Sequence, residues 1–321
     1  MKLLVAYDGS ECSEAALDDL MHAGLPDEGE ALVVSVAEVW LPPPQENESL
    51  QEYAKELQIH RQFFKGHEKG TKALGQAETL AHHARKRLIQ ILPNWKVSAE
   101  ANYGSPAWEI LTLSNKFEPD LIVVGSHGRS AVGRLVLGSI SQKVLTEAKC
   151  SVRVARGKIR PDEEAGERIV IGFDGSAGAM AAVNAVAKRQ WHGQSEVCLM
   201  AATDPLVPTT IGRFVQPVVN WVEEEKQNEK AWIEKLAEEA MQTLRNAGLA
   251  TSIHIHTGNP KHILVEEAEK CRADVIFVGA NTFGSAVERI LIGSVSSAIA
   301  ARAHCSVEVV RKQMTEQEFT G

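Results

Sequence analysis

Glycine and serine are concentrated in the segment GSHGRSAVGRLVLGSIS, residues 125–141, which directly follows an apolar run. Gly125 and Gly128 fall in a predicted turn, and Gly138 precedes a predicted helix whose first turn contains Ser139 and Ser141. Glycine lets a ligand approach the main chain closely. A helix N-terminus presents free N–H groups and the positive end of the helix dipole. The segment therefore predicts a cradle for a phosphate chain, with the serine hydroxyls as further donors.

A near copy of this segment occurs in the second half of the chain, GANTFGSAVERILIGSVS at residues 279–296. It keeps the first glycine and the glycine and serines of the predicted helix start: Gly279, Gly293, Ser294 and Ser296. One residue is inserted, however, and Phe283 stands in the place of the second glycine, with Gly284 next to it. Because a phenylalanine side chain would crowd a phosphate chain, we expect one working site per chain, in the first copy.

The two segments belong to a duplication that runs along the whole chain. Asp-Gly-Ser follows the first strand of each copy, at 8–10 and 174–176, and Cys-Ser-Val leads into the last strand of each, at 150–152 and 305–307. Conserved order at a nearly constant offset is the mark of tandem repeats. We predict a first domain at 1–156, a polar linker at 157–167, a second domain at 168–312 and a tail at 313–321.

Short apolar runs alternate with helical patterns in each half. In the first half, strands are predicted at 3–7, 31–36, 97–101, 121–124 and 152–155, and helices at about 11–24, 72–92, 106–117 and 138–148. Continuous apolar strands indicate sheets covered on both faces, and strand–helix alternation indicates a parallel sheet. We therefore predict the α/β class, as two tandem doubly wound domains, each with a five-stranded parallel sheet and helices on both faces. Ser105-Pro106 and Asn259-Pro260 predict helix starts.

In a doubly wound fold, ligands bind at the carboxyl ends of the strands, where the strand order reverses. Asp8 follows the first predicted strand, and Asp174 follows its counterpart in the second half. An acidic residue at this place is able to bind a ribose hydroxyl. The excursions at 40–71, which we expect to be partly helical from 49 to 64, and at 204–222 lie beside the same edge in this scheme. Two interpretations of these excursions remain open: a lid over this edge, or a plain surface loop.

Composition limits the kinds of molecule and the cellular environment that we expect for the protein. The net charge of −8 argues against a nucleic-acid backbone as the main ligand. Five cysteines without a CxxC pair indicate reduced thiols in a cytoplasmic protein, with Cys150 and Cys305 in packing roles. The sequence has no signal peptide pattern and no apolar stretch long enough for a membrane span, so we expect no membrane association.

The glycine spacing resembles that of the ATP-binding subgroup of the universal stress protein family. The family motif, G-x2-G-x9-G-[ST], is matched by Gly125, Gly128, Gly138 and Ser139. The resemblance covers both halves of the chain outside the linker and the 40–71 excursion. It implies an adenine nucleotide alpha hydrolase-like fold and a stress-response protein that binds ATP, with Mg²⁺ left open and with slow or no hydrolysis.

The resemblance also implies roles for individual residues. In the family, the acidic residue after the first strand meets ribose or adenine, the end of the second strand meets adenine through its main chain, and a glycine near the site ends the third strand. The implied ATP-binding set is Asp8, Val36, Gly104, Gly125, Gly128, Gly138, Ser139, Ile140 and Ser141. A weaker set in the second domain is Asp174, Gly279, Gly293, Ser294 and Ser296. The family's dimer contact implies that the two domains pair through their last strands, and a further homodimer is left open.

Other polar residues have weaker signals. Acid–base work by His127 is conceivable, although a turn-shaping role is favoured, and Arg129 and Arg134 are candidates for neutralising phosphate charge. His254 and His256 share one strand face without recognisable metal-ligand spacing, so we expect no metal site. No catalytic residues are evident. A hydrolysing or nucleotidyl-transfer enzyme and a nucleotide-independent interaction module remain the alternative functions.

Overall fold

A computed structural model describes residues 1–39, 61–127, 137–156, 166–203, 233–280 and 292–311, with the backbone alone at 61–68 and 203. Its ten strands form one sheet in the order β3-β2-β1-β4-β5-β10-β9-β6-β7-β8. Neighbouring strands are parallel throughout, except for the antiparallel pair β5 and β10 at the centre. Each repeat supplies five parallel strands, as predicted from the sequence.

The first repeat alternates strands and helices in the predicted order. Its strands are β1 (Lys2–Ala6), β2 (Glu30–Ala37), β3 (Lys96–Tyr103), β4 (Leu121–Gly125) and β5 (Ser151–Ala155). Its helices are α1 (Glu11–Asp19), which continues into a 3-10 turn at Leu20–His22, α2 (Arg61–Ile91), α3 (Pro106–Phe117) and α4 (Ser139–Glu147).

The second repeat follows the same order. Its strands are β6 (Arg168–Gly172), β7 (Glu196–Thr203), β8 (Ala250–Thr257), β9 (Val275–Gly279) and β10 (Ser306–Val310). Its helices are α5 (Ala177–Ala187), α6 (described over 233–246), α7 (Pro260–Lys270) and α8 (Ser294–Arg302). Across the described residues, no helix is both long enough and apolar enough to cross a membrane.

Helices cover both faces of the sheet, which explains the continuous apolar strands. One face carries a single buried cluster that crosses from one repeat to the other and includes residues of α3, α4, α7 and α8. The opposite face carries two separate clusters, one under α1 and α2 and one under α5 and α6. In β5, Val152 and Val154 pack on the shared face while Ala155 packs on the other, as strand alternation requires.

The predicted proline helix starts are confirmed, but the start predicted for the second helix is wrong. Helix α3 begins at Pro106, although the Ser105 side chain makes no capping hydrogen bond. Helix α7 begins at Pro260, where the Asn259 side chain accepts a hydrogen bond from Lys261 N at 3.0 Å. Helix α2 already includes residue 61 rather than starting at about 72. Part of the 40–71 segment therefore continues this helix, since adding turns to an existing helix costs little once its packed part has formed. Residues 40–60 and 204–232 lie outside the described part of the chain.

Candidate nucleotide site

The predicted site residues of the first repeat cluster where β1 and β4 end side by side. Strand β1 pairs with both β2 and β4, so the chain order reverses between β1 and β4. Asp8 follows β1, Gly125 ends β4, and Gly138 caps α4. The strand order thus brings these residues, far apart in sequence, to one edge of the sheet.

Val36 lies in the part of β2 that extends past β1. The pairing of β1 with β2 ends at Ala6 and Val34, and Tyr7 N still donates to Val34 O at 2.9 Å. Val36 continues to pair with Asn102 of β3 on its other side. The β1-facing main chain at Val36 therefore borders the strand-end groove, as expected for a residue that contacts a ligand through its backbone.

Asp8 is part of a compact loop that starts α1. Its Oδ1 accepts hydrogen bonds from the backbone N of Ser10 at 3.0 Å and from the Ser10 hydroxyl at 2.6 Å. The Ser10 hydroxyl oxygen in turn accepts from Ser13 N at 3.2 Å and caps α1. Among the described residues no hydrogen bond to Asp8 Oδ2 is seen. One carboxylate oxygen orients the side chain, and the other is available to a ligand.

The glycine-rich loop is tied together at its base. Gly138 N donates to Ser126 O at 2.9 Å, and the Ser141 hydroxyl donates to Gly125 O at 2.6 Å. These two bonds hold the end of β4 against the start of α4. The Ser141 hydroxyl proton is thus engaged within the protein, and the side chain is buried. In this structure Ser141 positions the loop, and a bond from its hydroxyl to a phosphate stays a prediction.

Helix α4 begins in a way that suits an anion. Gly138 is its N-cap and provides no side-chain hydrogen bond to the first turn, whereas Ser10 caps α1 with its hydroxyl. The first N–H groups of any helix lack partners inside the helix, and among the described residues no side chain caps the positive end of α4. Ser139 is exposed, and Ile140 is half-buried against the shared apolar cluster.

The structure gives Gly125 a packing role as well. A Cβ atom there would lie 2.9 Å from the backbone C and O of Cys12 in α1. In the second repeat, a Cβ on Gly279 would lie 2.1 Å from the backbone C of Gly178 in α5. Close contact between a strand end and a helix therefore requires both glycines. The retention of Gly279 in the second copy consequently follows from packing and says nothing about a ligand.

Gly104 forms the turn between β3 and α3. Its φ of +127° lies in a region that side-chain-bearing residues rarely adopt, and its N–H donates to Ala37 O at 3.0 Å. The glycine thus joins the ends of β2 and β3 near Val36. Here too the glycine is required by the main chain itself.

His127 packs at the start of the loop. Its Nδ1 lies 3.1 Å from Ser126 Oγ, and its Nε2 is buried without a hydrogen-bond partner among the described residues. Burial and the nearby Arg156 charge lower the pKa of His127, so the imidazole is neutral at neutral pH. This agrees with a structural role for the ring. Gly128, Arg129 and Arg134 lie outside the described residues.

The second repeat has the same strand end and helix start as the first, but its acidic residue makes fewer hydrogen bonds and is more exposed. Gly293 caps α8, Ser294 is exposed, and Ser296 donates to Gly279 O at 2.8 Å, matching the bond of Ser141. Asp174 accepts a bond from Ser176 N at 3.0 Å and is exposed, whereas Asp8 is partly buried. Phe283 and Gly284 lie outside the described residues.

The structure reveals a contact between repeats that the sequence analysis missed. Arg156 follows β5 and donates to Ala300 O, in the last turn of α8, at 2.6 Å. Arg311 follows β10 and donates to Leu145 O, in the last turn of α4, at 2.5 Å. Each guanidinium therefore binds the negative end of the other repeat's last helix. The signal was present, because the two arginines occupy equivalent positions in the duplication.

The remaining candidates have structural roles. All five cysteines are free, and Cys150 and Cys305 are buried, in agreement with packing roles. Burial raises the pKa of the Cys150 thiol to about 11, so it is protonated at neutral pH and unreactive. His254 and His256 lie with ring centroids 6.3 Å apart, and His256 Nε2 is 3.8 Å from Glu267. Neither belongs to a group of three metal-ligating side chains within the described residues.

These features define a tandem α/β protein that brings the described candidate site residues of its first repeat together at the strand ends. The model of the universal stress protein family matches residues 1–156 and again residues 166–311. The chain therefore belongs to the universal stress protein family and contains its domain twice. Membership of this family supports a role in the stress response.

Individual relatives agree with this assignment. A universal stress protein of Mycolicibacterium smegmatis is 30% identical over 221 residues, which are 67% of this chain and 69% of that protein. The universal stress protein YxiE of Bacillus subtilis is 32% identical over 164 residues, 48% of this chain and 98% of YxiE. The crystal structure of a universal stress protein from Archaeoglobus fulgidus covers 97% of this chain and 96% of its own, with a TM-score of 0.56 at 20% identity. The last comparison supports the fold.

Proposed function

We propose that this protein is a cytoplasmic, ATP-binding member of the universal stress protein family that binds one nucleotide, in its first repeat. The observation that carries nucleotide binding is the start of α4, where Gly138 leaves the first turn without a side-chain cap of its own beside the glycine-rich loop. Because Gly293 starts α8 in the same way, the choice of the first repeat is supported instead by the partly buried Asp8 and by Phe283, which stands in the place of the second glycine in the other copy. The N–H groups of the first turn of α4, with the exposed Ser139, would hold the phosphates. Asp8 would hold the ribose through its available oxygen, and the main chain at Val36 would face the adenine.

Binding rather than catalysis is the function that these groups support. The loop and the helix N-terminus stabilise phosphate charge, but transfer of a phosphoryl group also needs a positioned nucleophile and metal ligands. Glu14 is an acidic residue in α1, close to Asp8 in sequence. Its Oε2 lies 2.7 Å from Arg87 Nη1, so this carboxylate is already engaged in an ion pair. We therefore expect slow or no hydrolysis, so that the protein reports nucleotide occupancy rather than consuming ATP.

The proposal also includes pairing of the two repeats within a single chain, through β5 and β10. Support comes from the register of the pair and from Arg156 and Arg311, each of which reaches into the other repeat. The free cysteines support a reducing compartment.

The proposal is tested with one matched pair of variants, Asp8→Asn and Asp174→Asn, in the full chain. Asparagine keeps a side-chain oxygen that can accept the hydrogen bond from the N–H of the serine two residues later, but it removes the negative charge. A hydrogen bond to a charged group contributes about 1.5–3 kcal/mol, so Asp8→Asn should weaken ATP binding in calorimetric titration by at least about tenfold. Asp174→Asn should leave it unchanged. Equal losses in both variants, or tight binding of AMP without binding of ATP, would contradict the proposal.

A further inference from the structure

Three side chains that can ligate a metal converge at the boundary between the repeats, and none of them belongs to the candidate nucleotide site. His22 lies in the 3-10 turn after α1, Glu167 precedes β6, and His192 lies between α5 and β7. Glu167 Oε1 is 2.7 Å from His192 Nδ1 and 3.2 Å from His22 Nδ1. The Glu167 side chain is completely buried, whereas the side chain of His192 is 53% exposed.

The carboxylate is held in a fixed orientation. Glu167 Oε2 accepts from the Ser195 hydroxyl at 2.7 Å and from His192 N at 3.3 Å. The Ser195 hydroxyl oxygen also accepts from Glu167 N at 2.9 Å. These bonds direct Oε1 toward both imidazoles. Metal sites in proteins commonly use such outer contacts to orient their ligands.

The two segments that supply the histidines are fixed against each other. Arg189 donates to Ala23 O at 2.8 Å, and Gln190 N donates to Gly24 O at 3.0 Å. Gly24 adopts a φ of +60°, and a Cβ there would lie 2.9 Å from the Trp191 ring. Because both histidines are flanked by these contacts, the fold itself brings them to Glu167.

We propose that His22, Glu167 and His192 form a zinc site that fastens the two repeats together. Two imidazole nitrogens and one carboxylate oxygen are ligands that Zn²⁺ accepts, with a water as the fourth. To bind the ion through Nδ1, each imidazole must carry its proton on Nε2, so Zn²⁺ replaces the hydrogen bonds between the two Nδ1 atoms and Glu167 Oε1. Ligand atoms about 2.1 Å from a tetrahedral ion lie ~3.4 Å from one another. The distances of 3.2 and 2.7 Å require a small outward shift, mainly of His192, whose exposed side leaves room for it. This site could not be predicted from the sequence, because His22 and His192 do not occupy equivalent positions in the two repeats.

The test uses the full chain, stripped of metal with a chelator, titrated with Zn²⁺ and with Co²⁺. We expect one tight Zn²⁺ site per chain and visible Co²⁺ absorption of a four-coordinate site. His192→Ala removes a half-exposed ligand and should weaken Zn²⁺ binding at least about 100-fold, because even loss of an outer contact costs about 10–100-fold. Ser195→Ala should weaken it about 10–100-fold.

His304→Ala is the matched control, since His304 is also about half exposed and lies 3.4 Å from a single carboxylate, that of Glu269. It should bind Zn²⁺ as the unmodified chain does. Binding that persists in His192→Ala and in His22→Ala would place the metal elsewhere and overturn the proposal. Absence of Zn²⁺ and Co²⁺ binding to the unmodified chain would overturn it equally. Circular dichroism of each variant establishes that the fold is retained.

Discussion

Arg153 and Glu308 lie directly opposite each other where the two repeats meet, on the antiparallel strands β5 and β10. Arg153 Nη1 is 3.3 Å from Glu308 Oε2, and both side chains are 1% exposed. Asp19 binds Arg153 at 2.6 Å, and Arg189 binds Glu308, so two cations and two anions are buried together. These positions are equivalent in the duplication but carry opposite charges. Two copies of β5 paired in this register would place Arg153 against Arg153, so each strand is matched to the other repeat.

Removing one charge from this cluster should destabilise the protein strongly. Glu308→Gln keeps the size of the side chain but leaves Arg153 and Arg189 with Asp19 as their remaining counter-charge. Loss of one partner of a buried ion pair costs about 3–5 kcal/mol. We expect a decrease of that size in the free energy of unfolding, measured by denaturation with urea. Exposed Glu238 provides the control, and an equal effect of Glu238→Gln would show that the buried cluster contributes little.

The helix contacts of Arg156 and Arg311 should contribute about equally to stability, because their geometry is equivalent in the two repeats. Methionine keeps the apolar stem of either side chain but removes the hydrogen bonds to the helix carbonyls. Arg156→Met and Arg311→Met should each lower the free energy of unfolding by about 1.5–3 kcal/mol. Arg302, exposed in the last turn of α8, is the control. Finding that Arg302→Met costs as much as Arg156→Met would refute a specific role for the crossing arginines.

The two strand-end glycines should differ in their tolerance of alanine. A Cβ on Gly279 would come within 2.1 Å of backbone, against 2.9 Å for Gly125. Overpacking typically costs about 1–3 kcal/mol, so Gly279→Ala should be the more destabilising of the two in thermal unfolding. Gly75 lies in α2 with open space around it. Gly75→Ala should raise stability by about 0.5–1 kcal/mol, and the opposite order of these variants would refute the packing explanation.

Much of the fold could be predicted from the sequence because its signals are local. The apolar runs predicted the parallel strands. Two helix starts were predicted from the dipeptides Ser105-Pro106 and Asn259-Pro260. The duplication gave the equivalence of Gly125 with Gly279. Residues 65–71 of α2, between the two stretches predicted as helical, were missed because they show no helical apolar stripe of their own. The glycine motif indicated a phosphate site, but the sequence could not show that Gly125 is also required by contact with Cys12, or that Ser141 binds Gly125 O.

The buried charge network between the repeats could not be predicted. Asp19, Arg153 and Glu308 are separated by long stretches of chain and meet only when β5 and β10 pair. Charged residues in a strand pattern predict a solvated position, yet here each charge is neutralised by a partner from another element. Such networks depend on the relative placement of the two repeats, for which the sequence has no periodic signal.

The number of nucleotides bound per chain tests the central claim most directly. Small molecules released from the purified full chain would be identified and quantified by mass spectrometry, after saturation with ATP and removal of the excess. We predict one ATP per chain, lost in Gly128→Phe and retained in Gly284→Phe, a change in the second repeat next to Phe283, which stands in the place of Gly128. Two nucleotides per chain, or one nucleotide that survives Gly128→Phe, would contradict a single site in the first repeat.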